Sequence, residues 1–397
     1  MNQSCVKSED YVKILIKLIL IMPFFAYANS ENKNSSQKST LAVKDQSALL
    51  NNKSSTMFSL ENSFISKVST FDEGEDSAYQ VIFGYQPSLK FNIHSKFNID
   101  TQFSINLGAS RVQSRFQRHS DNDTVLNELS MNYLPIENLK FSLGAINQKH
   151  LESPHLVSGV TFPGFKLEAK TKGKGFNIGA KTQYLVPTSS SFDSDRSESE
   201  VLPNFQTQGI FASYNGFSKV DLQAQWNLYS FSNLPSVVAY ESKRLGNFYI
   251  TGTDVSESAF AVDYAGLSQS YNAKINYTKG LSHNLFASIV ENQNLESGSN
   301  RAQSVGTSLD VKIAQVVLTP SITTFFSETD ASPAFYNSSD LGHSNRQGMK
   351  YSLRTYFKKL KFAIQANLID SQVLNISAYQ QDLVIAELFV EMINVRF

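Results

Sequence analysis

The side chains best suited to metal or acid–base chemistry in this sequence are its six histidines. His150 and His155 lie five residues apart with Glu152 between them. Imidazole and carboxylate groups at such a spacing could bind zinc, but histidines in polar connecting segments are more often simply solvated. We therefore expect solvated loop histidines, no metal site and no cofactor. The remaining histidines are scattered through predicted turns and loops: His94, His119, His283 and His343.

No catalytic set stands out from the rest of the sequence. Serine and aspartate are so frequent that spacing cannot single out a nucleophile with its base and orienting partner. Gly173 and Gly175 are flanked by lysines, but no predicted helix follows them, so we interpret them as turn residues rather than a phosphate-binding loop. The chain has 35 Lys+Arg and 35 Asp+Glu, without the basic excess usual for nucleic-acid binding. We expect neither an enzyme nor a nucleic-acid partner.

The N-terminus is typical of a cleaved secretory signal. Lysines precede a short apolar run, and Ala26-Tyr27-Ala28 supplies the small-x-small cleavage pattern. The run is interrupted by a lysine and is too short for a membrane anchor. Cleavage of residues 1–28 would remove Cys5, the single cysteine, so disulfides are not expected. Residues 29–55, rich in Ser, Asn, Lys and Gln, are predicted to be a polar periplasmic linker.

From residue 56 onwards the sequence alternates between apolar and polar residues. In 97–107, for example, Phe97, Ile99 and Phe103 occupy one face, while the polar residues occupy the other. A period of two predicts a strand with one apolar and one wet face. The same pattern recurs in 176–184, 220–228, 271–277 and 349–357. A soluble β-sandwich would also alternate, so this pattern alone leaves two architectures open.

The lengths of the connections separate these two architectures. Short turns are predicted at 94–96, 135–138, 172–174, 216–218, 279–283, 313–314 and 358–360. They alternate with long polar loops at 112–123, 187–204, 232–268, 328–347 and 371–382. Tight periplasmic turns and long extracellular loops indicate a transmembrane barrel, and aromatic residues beside the short turns fit its interfacial girdles.

We therefore predict an all-β fold, a transmembrane antiparallel up-and-down β-barrel over residues 56–397. Sixteen strands can be counted. A further hairpin within 232–268, around Phe248-Tyr249-Ile250 and Phe260-Ala261-Val262, would raise the count to eighteen. We favour a folded loop there. An even number of strands places both ends of the barrel on the periplasmic side.

The last predicted strand ends on an aromatic residue. Phe389, Ile393, Val395 and Phe397 alternate along it. This strand resembles the C-terminal signature of bacterial outer-membrane proteins, which their assembly machinery reads. The resemblance implies residence in the outer membrane of a Gram-negative bacterium, contact with outer-membrane lipid and delivery by the barrel assembly machinery. Glu391 departs from the pattern, because that face should be lipid-facing and a carboxylate is costly at mid-membrane depth.

A barrel of this size encloses water rather than packed side chains. Resemblance to porins then implies passive diffusion of small polar solutes or ions and, by analogy, a homotrimer. Two alternatives stay open. One is a non-conducting barrel that serves as an adhesin, receptor or structural protein, and the other is a barrel enzyme.

Charges on the inferred inward face are the sequence's clue to selectivity. The basic candidates outnumber the acidic ones and predict a modest preference for anions. The alternative is a balanced wall with ion pairs, such as Lys166 with Glu168. The predicted pore-lining residues are Lys140, Lys166, Lys170, Lys181, Lys274, Lys312, Lys350 and Arg354, opposed by Asp100, Glu128, Glu168, Asp221 and Asp310.

Overall fold

The computed structural model describes residues 57–74, 76–111, 123–148, 153–173, 175–188, 201–217, 219–250, 255–295 and 298–393. The predicted signal peptide and the linker lie outside these residues. So do two members of the predicted assembly signal, Val395 and Phe397.

Strands make up most of the described chain. The first nine are β1 (Phe58–Glu73), β2 (Asp76–His94), β3 (Phe97–Arg111), β4 (Asp123–Ile136), β5 (Leu139–Asn147), β6 (Thr161–Gly173), β7 (Phe176–Leu185), β8 (Asn204–Phe217) and β9 (Val220–Ser232). After helix α1 (Ser236–Ser242) come β10 (Tyr249–Ile250), β11 (Ala259–Phe260), β12 (Ala265–Thr278), β13 (Leu281–Asn292), β14 (Arg301–Ile313), β15 (Val316–Ser327), β16 (Arg346–Phe357), β17 (Phe362–Val373) and β18 (Leu383–Ile393).

Sixteen of these strands close into one antiparallel barrel. Each pairs with its neighbours along the chain, and β1 also pairs with β18, from Ser63 opposite Ile393 to Glu73 opposite Leu383. Closure leaves no unpaired strand edge, which removes the exposed backbone groups of an open sheet. The predicted barrel fold is confirmed.

The short strands β10 and β11 pair only with each other, as a two-stranded ribbon outside the barrel sheet. β9 and β12 are direct neighbours in the wall, from Ala265 opposite Ser230 to Ile275 opposite Val220. The count of sixteen is therefore confirmed, and the alternative of eighteen is wrong. The described residues between β9 and β12 form the folded loop that the sequence favours.

Connections sort by length between the two ends of the barrel. One end, which we call the turn end, carries the seven short turns predicted from the sequence, such as the one between β16 and β17. The opposite loop end carries the long segments. One connection departs from the predicted alternation: β1 and β2 are joined at the loop end by only two residues, with Gly74 at φ +61°, a conformation that glycine adopts without strain.

The outward face of the barrel is apolar. Its exposed side chains include Phe83, Leu107, Leu143 and Ile210, each more than half exposed. Aromatic pairs lie beside the turn end, such as Phe357 with Phe362 at 5.9 Å between ring centroids. Apolar outer walls bounded by aromatic residues are typical of barrels in a membrane. No helix in the described part of the chain is long and apolar enough to cross a bilayer.

In the terminal strand β18, the face expected to contact lipid lies on the lumen side. Glu391 Oε2 lies 3.3 Å from Arg354 Nη2, and Glu387 Oε1 lies 2.5 Å from Lys67 Nζ. These pairs lie inside the barrel, so the odd-numbered residues of β18 face the lumen. The expectation that Phe389 and Ile393 lie on the lipid face is therefore wrong, and Leu388, Val390 and Met392 form the outward face. Glu391 is no longer an anomaly, because its carboxylate is on the wet side.

Orientation in the membrane can be tested with two single cysteines, since Cys5 is the chain's own cysteine. Ile376 at the loop end is fully exposed, and Leu360 at the turn end is 71% exposed. We expect a membrane-impermeant maleimide to label Ile376→Cys on intact cells and to leave Leu360→Cys unlabelled until the outer membrane is opened. If Leu360→Cys, and not Ile376→Cys, is labelled on intact cells, the barrel has the opposite orientation in the membrane.

Candidate pore and the loops folded into it

The predicted pore-lining charges fall on the inward positions of their strands. On β2–β7 they form what we call the charged wall. Lys166 Nζ lies 3.3 Å from Glu168 Oε2, and Lys140 and Lys181 both stand opposite Glu168 in the strand register. Asp100 of the same wall lies 3.6 Å from Lys90. The charged wall also carries Glu128 and Lys170.

A second part of the lumen is lined mainly by hydroxyl groups. Inward positions of β12–β16 carry what we call the hydroxyl wall: Ser270, Ser288, Ser304, Ser308, Ser321, Thr323 and Ser352. Gln223, Asn272 and Gln365 add amide groups, and Phe286 adds one ring. A cavity of about 620 Å³ lies against this wall. Its chemistry suits water and uncharged hydrogen-bonding solutes, because each hydroxyl both donates and accepts.

Three connections from the loop end fold into the barrel and pack together. These segments are the inward loop assembly: 153–160, the described residues 233–250 and 255–264 (together called segment 233–264), and 328–345. Leu156, Val157, Val238, Tyr264 and Tyr336 from the assembly are buried in one apolar cluster with inward residues of the barrel wall. The wall residues of this cluster are Ile146, Phe162, Leu185, Phe205, Tyr229, Phe231 and Val290. The assembly thus packs mainly against the inner side of β5–β9, where the contact is an apolar core.

Packing in this core is tight and specific. The rings of Tyr336 and Phe162 meet edge to face at 5.1 Å, and the rings of Tyr336 and Phe231 stack at 6.0 Å. Tyr336 is fully buried. Burial of one such side chain contributes roughly 1.5–3 kcal/mol, so the apolar cluster holds the segments against the wall.

Hydrogen bonds join the three segments to each other. Backbone nitrogen of Ser158 donates to the carbonyl of Tyr336, and that of Ser338 donates to the carbonyl of Pro154, both at 2.8 Å. Asn247 is the central link, with 4% of its surface exposed. Its amide nitrogen donates to the carbonyls of Thr329 and Ser332, and its amide oxygen accepts from the backbone nitrogen of Ala334 at 2.6 Å. One side chain therefore ties segment 233–264 to segment 328–345.

Asp330 lies beside Asn247 and is fully buried. Its Oδ1 accepts hydrogen bonds from Tyr264 Oη at 3.0 Å and from the backbone nitrogen of Phe248 at 3.1 Å. No ion pair joins it to a described lysine or arginine. Burial raises the pKa of Asp330 to about 6, in spite of the hydrogen bonds that favour the carboxylate. Asp330 therefore titrates near neutral pH.

A second loop carboxylate faces the pore. Asp340 lies in a short 3-10 turn (Ser339–Leu341), and its Oδ2 accepts from Lys350 Nζ at 2.7 Å. Burial opposes ionisation of Asp340, but the ammonium of Lys350 outweighs it and lowers the pKa. Asp340, Lys350 and Arg354 all border the 620 Å³ cavity. The inward loop assembly therefore supplies a charge at the same place as two of the predicted pore-lining residues.

Comparison with known proteins gives fold likeness without close relatives. No protein-family model matches the sequence, and no curated protein matches it. OprB from Pseudomonas putida, in its high-pH structure, aligns with a TM-score of 0.56 over 85% of this chain and 94% of that chain, at 10% identity. A loop L8 deletion mutant of OmpT, an outer membrane protein of Vibrio cholerae, aligns with a TM-score of 0.51 over 85% and 99% of the two chains, at 8% identity.

The chain has the fold of an outer-membrane porin. Within this porin fold, sequence reasoning missed several inward charges. Lys67 and Glu387 form a pair, Arg354 pairs with Glu391, and Arg346 Nη2 lies 2.5 Å from Glu73 Oε1. The terminal aromatic pattern placed Glu391 on the lipid side, and Glu387 was not considered. The apolar–polar alternation of β1 and β2 places Lys67 and Lys90 on the inward face, so the same rule could have identified them as lumen charges.

The added charges make the inward face of the barrel nearly balanced. Ion pairs join many lumen-side or loop residues in the described chain. They include Lys274 with Asp310 at 3.6 Å, and Asp221 accepts a hydrogen bond from Asn276 at 3.3 Å. Among the described residues, Lys140, Lys170 and Lys312 form no such pair on the basic side, and Glu128 and Asp221 form none on the acidic side.

The histidines divide between several environments. His155 is 1% exposed, so the expectation of a solvated loop histidine is wrong there: it lies inside the inward loop assembly, and burial lowers its pKa to about 4. His343 contacts Asn337 Oδ1 at 3.0 Å, and His283 lies in β13 rather than in a turn. His94 is exposed, and His119 and His150 lie outside the described residues. No cluster of metal-ligating side chains occurs in the described part of the chain.

Proposed function

We propose that this chain forms a water-filled channel in the outer membrane of a Gram-negative bacterium, through which small polar solutes and ions diffuse passively. The observation that carries the proposal is a closed barrel of sixteen strands with an apolar outside and a polar inside. A lumen of this strand number holds water. The 620 Å³ cavity beside the inward loop assembly is the part of the path that we assign to solute passage.

The second candidate is a barrel that does not conduct and serves as an adhesin, receptor or structural protein. The observation that favours it is the dry core between the inward loop assembly and strands β5–β9, since an assembly that filled the rest of the lumen would close it. Hydroxyl groups and a cavity on the opposite wall favour the channel instead. The two candidates differ in one measurable property, which is conductance.

The proposed partners follow from the two faces of the barrel. Outer-membrane lipid would contact the apolar outer wall. The barrel assembly machinery would read the terminal strand, with Phe389, Ile393, Val395 and Phe397 still proposed as its signal. A homotrimer remains a proposal by analogy with porins. Because the lumen charges nearly balance, we infer a preference for anions no stronger than weak, carried by Lys140, Lys170 and Lys312.

Replacing Lys350 and Arg354 together with glutamine should shift the channel toward cations. The double variant leaves the carboxylates of Asp340 and Glu391 without their cationic partners, and uncompensated negative charge in a pore favours cation entry. We expect the potassium-to-chloride permeability ratio to rise about twofold or more at low salt, and less at high salt because of screening. Reversal potentials in a potassium chloride gradient measure this.

The matched control for this experiment is Lys358→Gln with Lys359→Gln, which removes two charges in a turn between β16 and β17. It should leave the permeability ratio near the wild-type value. If the double variant at Lys350 and Arg354 conducts with unchanged selectivity, these two residues do not line the conducting path.

A further inference from the structure

A lysine ammonium at the loop end is surrounded by aromatic rings. Lys243 follows α1, and its Nζ lies 3.6 Å from the ring centroid of Tyr240. The ring centroids of Tyr249 and Tyr379 lie 5.2 Å and 5.6 Å from the same atom. A cation within about 6 Å of an aromatic face is attracted by the negative charge of that face. We call the three rings the tyrosine cage.

The tyrosine cage is assembled from two different loops. Tyr240 and Tyr249 belong to segment 233–264, whereas Tyr379 belongs to the connection between β17 and β18. The hydroxyls of Tyr249 and Tyr379 are 3.1 Å apart, and their rings meet at 70° with centroids 6.3 Å apart. This hydrogen bond raises the pKa of Tyr249, so its phenol stays neutral. Tyr379 is 40% exposed, which leaves the cage open to solutes.

Lys243 does not fill the tyrosine cage evenly. Its ammonium sits close to one ring and more than 1.5 Å farther from the other two. It also forms no ion pair with a carboxylate among the described residues, so the rings are its main neighbours. An ammonium is small, and three methyl groups around a nitrogen would extend far enough to contact all three rings together. The cage is therefore wider than the cation that occupies it.

We propose that the tyrosine cage is a binding site for a quaternary ammonium group, and that Lys243 occupies it in place of the ligand. Faces of several aromatic rings around a trimethylated nitrogen are a recognised means of binding such groups. Lys243, tethered beside the cage, competes with any ligand and keeps the affinity of the wild-type protein low. The site lies on the loop surface and is independent of whether the barrel conducts.

Choline is the probe for this site, and its uncharged carbon analogue 3,3-dimethyl-1-butanol is the control for shape. In purified protein, Lys243→Gln should bind choline about tenfold more tightly than wild type, since the competing cation is gone while the cage remains. The uncharged analogue should bind neither protein. Adding Tyr249→Leu and Tyr379→Leu to Lys243→Gln should abolish the gain, whereas Tyr351→Leu on the outer wall should not. Isothermal titration or ligand-observed NMR gives the affinities.

Two results would overturn the proposal. One is equal choline binding by wild type and Lys243→Gln, and the other is a gain that the uncharged analogue shows as well. Because the informative variant gains binding, misfolding cannot imitate the expected result. Glycerophosphocholine, tested in parallel, separates two sources of the ligand. If it binds Lys243→Gln as tightly as choline does, the natural ligand is a lipid headgroup. If only choline binds, the natural ligand is a free quaternary ammonium solute.

Discussion

Replacing residues 235–262 with a short glycine–serine linker is expected to increase the conductance of the channel several-fold, roughly two- to fivefold. The segment packs on the inner wall through Val238, so its removal takes away the longest part of the inward loop assembly. The barrel should still close. β9 and β12 are hydrogen-bonded neighbours, with Ser230 opposite Ala265, so a few residues can connect them. Single-channel recording measures the change.

This excision also distinguishes the two candidate functions. In a channel, the loops narrow an existing path and the variant conducts more than wild type. In a sealed barrel, wild type does not conduct and the variant opens. The same linker inserted between Lys359 and Leu360 at the turn end is the control and should leave conductance unchanged. If the variant lacking residues 235–262 inserts into the bilayer and has wild-type conductance, segment 233–264 does not obstruct the pore.

Acidic pH is expected to lock the inward loop assembly, and pH above about 6 is expected to loosen it. The pKa of Asp330 rises from 3.8 in the unpacked loop to about 6 when packed. Protonated Asp330 favours the packed state. This contribution to stability is complete below pH 3.8, the pKa of the unpacked loop, and is lost as pH rises through about 6, the pKa of the packed loop. The full difference from below pH 3.8 to above pH 6 corresponds to about 3 kcal/mol, and roughly half of it falls between pH 5 and pH 7.5. Loop opening events and mean conductance should therefore increase between pH 5 and pH 7.5.

Four other groups of the assembly have shifted pKa values and do not titrate in this interval. The assembly also contains His343, so the response is assigned to Asp330 by the Asp330→Asn variant. Burial keeps His155 neutral, with a pKa of about 4, and burial raises the pKa of both Tyr264 and Tyr336. Asp340 stays ionised beside Lys350. Asp330→Asn keeps the shape and cannot ionise, so it should behave at every pH as wild type does when Asp330 is protonated, below pH 3.8. A pH response that survives unchanged in Asp330→Asn would assign the effect to another group.

Much of the wall could be predicted from the sequence because strand periodicity is local. Alternation in segments such as 97–107 depends only on which side of a strand each residue faces. Connection lengths then separated a membrane barrel from a sandwich, because a barrel in a membrane has two different ends. The inward charges followed from the same alternation, so Lys140, Lys166 and Lys350 were found by position alone.

The interior of the loop end could not be predicted in this way. His155, Asp330 and Tyr336 are buried because three connections, far apart in the chain, pack on one another. A polar loop sequence carries no periodic signal for such packing. The face of β18 was predicted wrongly for a related reason: the aromatic pattern at the chain end outweighed the charge of Glu391, whose partner Arg354 lies on another strand.

The most direct measurement of the central proposal is the current through purified wild-type protein in a planar bilayer. A hydrated lumen of sixteen strands predicts stepwise insertion of open pores whose conductance grows roughly in proportion to salt concentration. Protein that is shown to be inserted, by protection from protease and by heat-modifiable gel mobility, and that passes no current between pH 5 and pH 8 would contradict the channel and leave the non-conducting barrel as the function.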